Sequence, residues 1–167
     1  LYYVALLNYI FMLAMPEEIV EKDGLPSLEE IEILETHVEL SEEILKNRLE
    51  QDVLNIAIAH HERLDGSGYP KKLRDMQMNT SQKILQVADK VTGLINGDFY
   101  EHAYNKEQII PILMEEADRK KLSSQVVDVM ILFYDEIMEK VELESGQILL
   151  LHKKLETQFE KVLKNSK

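Results

Sequence analysis

The sequence predicts an all-α fold, and three observations carry that expectation. Apolar residues recur every three or four positions along most of the chain. Six Gly and four Pro in 167 residues leave little material for the many tight turns of a β-sandwich. Several of the periodic stretches are preceded by Ser or Asn with Glu or Gln three positions later, the signature of a helix cap.

Taken in order, the first candidate helix is the apolar run Tyr2 to Met15, interrupted by Asn8. It is too short for a membrane span and has no basic leader, so it is predicted to be a buried helix. Ser27-Leu28-Glu29-Glu30 is a capping box that opens a helix with Ile31, Leu34, Val38, Ser41 and Leu45 on one face. A second pattern, with Val53, Leu54, Ile56, Ala57 and Ile58, predicts a helix from about Gln51 to Glu62. Arg63 to Asn79 holds Gly66, Gly68 and Pro70 and reads as a long ordered loop, a feature that in compact domains is usually functional. Asn79-Thr80-Ser81 caps a helix that runs through Ile84, Val87, Ala88, Val91, Leu94 and Ile95 and ends near Gly97. Asn105 with Gln108 opens a helix to about Leu122, in which Pro111 is a candidate kink. Ser124 to Val141 is a strongly apolar helix. Beyond Ser145-Gly146, Ile148, Leu151, Leu155, Phe159 and Leu163 mark one face of an amphipathic helix. The expected division is a domain over 1–142 and an appended helix over 143–167. Because it starts abruptly in core-like sequence, the chain reads as a fragment of a larger multidomain protein.

Charge and composition narrow the function. Nineteen Lys+Arg against 31 Asp+Glu give a formal charge of −12, which disfavours a polymeric nucleic-acid partner. With no cysteine there is neither a disulfide framework nor a thiolate metal site, as suits a reducing cytoplasm. The residues left to carry chemistry are histidines and carboxylates. His60 and His61 lead into the glycine loop, His37 lies in the preceding helix and Asp89 in the following one. Imidazoles with a carboxylate are a usual ligand mix for Fe, Mn, Zn or Ni, and such ions polarise phosphodiesters and generate hydroxide. A buried histidine also serves simply as a hydrogen-bonded core residue.

The loop strengthens the metal reading. His60-His61-Glu62-Arg63-Leu64-Asp65-Gly66-Ser67-Gly68-Tyr69-Pro70 matches HHExxDGxGYP at every specified position, and on it the chain resembles the HD-GYP family of bacterial cyclic-dinucleotide phosphodiesterases. Glycines permit the positive φ that a compact loop needs, Pro70 stiffens its exit, and Asp65 can bond the loop's own amides. Lys83-Ile84-Leu85-Gln86-Val87-Ala88-Asp89 resembles the family's RILxVAD helix. His37 with Ser41 and Leu45 resembles its HPxxGxxIL helix, with Val38 and Ser41 in place of Pro and Gly. The resemblance implies a helical bundle of about six to eight helices and cyclic di-GMP hydrolysis at a centre of two or three metals. It also implies His37, His60, His61 and Asp89 as ligands and a signature loop that contacts protein partners such as diguanylate cyclase domains.

The resemblance breaks at the element that names the family. Against the LHDIGK motif, Asn8 stands for His, Tyr9 for the metal-bridging Asp and Met12 for Lys. A phenol with a pKa near 10 is a poor bridge at neutral pH. Beyond Asp89, two cations expected to clamp phosphate are replaced by Asp98 and Glu101, with Lys71, Lys72, Arg74 and Lys90 as candidate substitutes. The expectation is a degenerate domain with little or no hydrolysis that holds one transition-metal ion or none and acts as a signalling module. The runner-up is an active phosphodiesterase in which Glu62, Asp65 or an upstream residue completes the shell, and a third reading is a cyclic-dinucleotide sensor. The C-terminal helix from Ile148 is expected to serve as a linker or a homodimer contact, or simply to pack on the domain.

Overall fold

The computed structural model describes residues 15–20, 22, 24–97 and 102–159, with the backbone of 160–165. Among the described residues there are seven α-helices and no strand: α1 (Glu17–Val20), α2 (Leu28–Leu45), α3 (Gln51–Ala57), α4 (Thr80–Asn96), α5 (Lys106–Asp118), α6 (Ser124–Leu132) and α7 (Tyr134–Asn165). The all-α expectation holds. Two compact units divide the chain, Leu1–Asp128 and Val129–Lys167.

Local chemistry sets most helix starts. Ser27 and Glu30, Asn79 and Gln82, and Asn105 and Gln108 each form a reciprocal capping box at the head of α2, α4 and α5. Gly97 ends α4 in the left-handed conformation, with φ of 79°. The predicted face of α2 is buried at Leu34, Val38, Ser41 and Leu45, together with His37, whereas Ile31 near its start is exposed. Val38 and Leu45 pack with Leu54 and Ile58 in one core cluster, and Tyr69 from the loop lies against it. Ala57 and Leu85 form a second cluster that ties α3 to α4.

Three boundaries differ from expectation. α3 stops at Ala57, so His60 and His61 sit in the turn after the helix rather than at its end. The predicted Ser124 to Val141 helix is interrupted after Leu132. In contrast, α7 runs through Ser145 and Gly146 without a break. A glycine inside a helix costs only about 1 kcal/mol, which 32 residues of continuous backbone pairing easily offset.

Candidate functional site

α2, the turn after α3 and α4 bring the predicted residues to one place. His37, His60 and His61 each offer a ligand nitrogen, and these atoms lie within 4.8 Å of one another. Asp89 joins them through His61, its Oδ2 standing 3.5 Å from Nδ1. His37 and His60 are buried, and His61 and Asp89 are partly exposed.

Backbone contacts fix the tautomers. His37 Nδ1 lies 2.6 Å from the carbonyl of Leu34 and His60 Nδ1 lies 2.8 Å from that of Ala57. A carbonyl oxygen can only accept, so Nδ1 carries the proton in both rings. Burial pushes His37 below its ordinary pKa and His60 down to about 4. His61 is held well below its usual value, first by burial and then by its two histidine neighbours. Neutral rings with protonated Nδ1 leave both Nε2 atoms bare, yet His37 Nε2 and His60 Nε2 face each other at 3.1 Å.

Two lone pairs in that position repel unless a cation lies between or beside them. An ion at the ~2.1 Å usual for imidazole nitrogen keeps two such ligands roughly 3 Å apart at a right angle. The donor set therefore fits a transition-metal ion, with Nε2 of His37 and His60 as ligands and His61 within reach. The backbone carbonyls on the opposite nitrogens supply the orienting contacts such ligands normally have.

The signature loop is built around Glu62, whose side chain is 1% exposed. Its two carboxylate oxygens accept the backbone amides of Lys71 and Leu73, each at 2.7 Å. Asp65 accepts the amide and hydroxyl of Ser67 at 2.9 and 2.6 Å, closing a local turn, and those bonds hold its carboxyl below the usual range. Neither carboxylate belongs to the histidine cluster. The two glycines differ in their reason. Gly66 has φ of 83°, whereas at Gly68 an added Cβ would stand 2.3 Å from the Arg63 amide nitrogen. Tyr69 stacks on His61 with centroids 4.8 Å apart, and the Tyr69–Pro70 peptide is cis. Burial, then the carboxylates of Glu35 and Asp89, keep the Tyr69 phenol protonated.

Some expectations find no partner here and some residues were not foreseen. Asn8, Tyr9, Met12, Asp98 and Glu101 lie outside the described residues. Of the candidate phosphate cations, Lys71 pairs with Glu42 at 2.8 Å and Lys90 with Glu116 at 3.5 Å. Sequence reasoning missed Gln86, which is fully buried and donates its amide to the carbonyls of Glu62 and Lys121. A polar residue between Leu85 and Val87 on a buried face was the available signal. The loop role of Glu62 had no such local mark.

Comparison with known proteins agrees with this geometry. Residues 1–126 match the family model described as HD domain. The chain belongs to the HD domain family, and its histidine cluster and signature loop place it in the HD-GYP type. It is 33% identical over 135 residues to 3'3'-cGAMP-specific phosphodiesterase 2 of Vibrio cholerae serotype O1, covering 79% of this chain and 26% of that protein. A cyclic di-GMP phosphodiesterase of Thermotoga maritima is 30% identical over 149 residues, covering 87% of this chain and 40% of the relative. A cyclic di-GMP phosphodiesterase response regulator of Xanthomonas campestris pv. campestris is 30% identical over 110 residues, covering 64% and 29%. The chain thus spans from about a quarter to two-fifths of the length of these relatives. Among the described residues, no helix is long and apolar enough to cross a membrane.

Proposed function

We propose that the chain is a degenerate HD-GYP domain of bacterial cyclic-dinucleotide signalling, binding metal through its imidazoles but hydrolysing cyclic di-GMP little or not at all. The observation that carries the reading is the replacement of the family's His-Asp-Lys set by Asn8, Tyr9 and Met12, beside an intact histidine cluster. A hydrolase of this type needs a carboxylate bridge, an activated water and a charge clamp on phosphate. Tyr9 removes the first, and Asp98 and Glu101 turn the clamp repulsive. The engagement of Glu62 and Asp65 within the loop argues against either as a substitute ligand.

One ion on His37, His60 and His61, with Asp89 orienting or joining them, would supply Lewis acidity and hold α2 to the turn after α3. The domain then acts through its loop. Lys72, Arg74 and Met76 are exposed there, Met76 at 96%, so an otherwise acidic chain presents a cationic and apolar tip. That chemistry suits an acidic protein surface, such as a diguanylate cyclase domain, in the cytoplasm.

The test is hydrolysis of cyclic di-GMP by the protein with added Mn or Fe, alongside metal analysis. Background-level turnover with about one equivalent of metal is expected. Turnover that His60→Ala abolishes would overturn the degenerate reading and establish the phosphodiesterase.

A further inference from the structure

Helix α7 carries a long apolar stripe that is buried at Tyr134, at its start, and open to solvent from Val141 to Phe159. Tyr134, Val141, Ile148, Leu155 and Val162 recur at intervals of seven, the period of a helix that pairs with another helix. Within it Val141 is 47% exposed, Ile148 and Leu155 55% and Phe159 66%. At Ile148-Leu149-Leu150-Leu151 the helix is apolar around its whole circumference, and all four side chains are at least 55% exposed.

Charge is divided across that apolar turn. Before it, Asp135, Glu136, Glu139, Glu142 and Glu144 stand against Lys140 alone; after it, Lys153, Lys154, Lys161 and Lys164 outnumber Glu156 and Glu160. Complementing the helix dipole accounts for charges in the first and last turn, because the effect fades beyond them. It does not account for three turns of each sign.

We propose that α7 pairs antiparallel with α7 of a second copy of this chain, apolar turn on apolar turn and acidic half on basic half. Parallel pairing would lay the acidic half on the acidic half and the lysine-rich half on its like within a Debye length, whereas antiparallel pairing sets the net acidic half against the net basic half. One partner helix covers one face of α7, and on that face Val141, Ile148, Leu155 and Phe159 are each roughly half exposed or more, so pairing removes apolar surface from water. This inference is independent of whether the histidine cluster binds metal or hydrolyses anything.

Sedimentation equilibrium of the 167-residue protein, at low and high salt, tests it. A dimer is expected, weakened by salt. Lys153→Glu with Lys154→Glu should weaken it about tenfold or more at low salt, with far-UV circular dichroism unchanged. Adding Glu142→Lys and Glu144→Lys in the same chain should restore it, because the charges flanking the apolar turn, 142 and 144 on one side and 153 and 154 on the other, are then opposite again. A monomer at roughly 200 µM would overturn the proposal. So would a dimer indifferent to the lysine reversal, the behaviour of parallel pairing, or a fourfold variant no tighter than the twofold one.

Discussion

Glu62 offers the sharpest test of how the loop is held. Its carboxylate is almost fully buried and its two oxygens take the amides of Lys71 and Leu73 at 2.7 Å each. Truncation to alanine leaves two amide donors facing a cavity. Each unsatisfied buried donor costs about 1–3 kcal/mol, and hydrogen bonds to a carboxylate lie at the upper part of the usual scale. The sum is roughly 3–5 kcal/mol, falling toward about 2 if the loop opens and admits water to the orphaned amides. Glu62→Gln keeps one acceptor but turns an amide N–H₂ toward a backbone N–H, so it should fall between wild type and alanine. Urea denaturation followed by far-UV circular dichroism measures the loss. Hydrogen exchange at Lys71 and Leu73 should speed up selectively, as the local opening energy falls. A loss under about 1 kcal/mol for Glu62→Ala, or unchanged exchange at those two amides, would refute the account of the loop.

Other expectations follow from the same geometry. Gly68→Ala places a Cβ 2.3 Å from the Arg63 nitrogen and 2.4 Å from Glu62 backbone atoms, which no rotamer change relieves, so a loss of about 3 kcal/mol in denaturant titration is expected. Gly93→Ala in the middle of α4 meets nothing within 4 Å and should stabilise by about 0.5–1 kcal/mol in the same assay. The metal-free protein should lose stability in acid. Because His60 titrates near 4 when folded and near 6.5 when unfolded, the unfolded chain binds more protons as pH falls between those values. Stability is full above pH 6.5, and His60 alone withdraws about 3 kcal/mol on the way to pH 4, measurable as a falling urea midpoint. Zn or Mn at about 100 times its dissociation constant should stabilise by ~2.7 kcal/mol, raising Tm by roughly 5–10 °C, and His37→Ala should remove most of that shift.

How much of this was legible in the sequence depends on the range of each interaction. The heads of α2, α4 and α5 were readable because Ser27, Asn79 and Asn105 each bond a residue three positions away. The end of α3 was not. Ile58 and Ala59 continue its apolar pattern and are buried, but they are buried in a turn, and periodicity reports burial rather than hydrogen bonding. The histidines and Asp89 could be assembled because the signature run and helix register point to them. The bonds from Glu62 to Lys71 and Leu73, and from Gln86 to Glu62 and Lys121, join positions far apart in the chain through irregular backbone, and no local pattern encodes them.

The histidine geometry also separates two properties that the family's enzymes combine. On the proposed reading, hydrolysis would depend on the positions occupied by Asn8, Tyr9 and Met12, whereas ion binding would depend on the Nε2 atoms of His37 and His60. Without an ion, two bare nitrogens 3.1 Å apart and out of water destabilise the contact between α2 and the turn after α3. With an ion, the same pair becomes an attraction linking α2 to the root of the signature loop, and binding energy becomes folding energy. The loop is coupled to this point by the stack of Tyr69 on His61 and by Glu62, the next residue in the chain. Metal occupancy should therefore set the rigidity of the signature loop even where no phosphodiester is cleaved. Amide exchange across 64–77 that is indifferent to added metal, under conditions where the ion is shown to bind, would break that link.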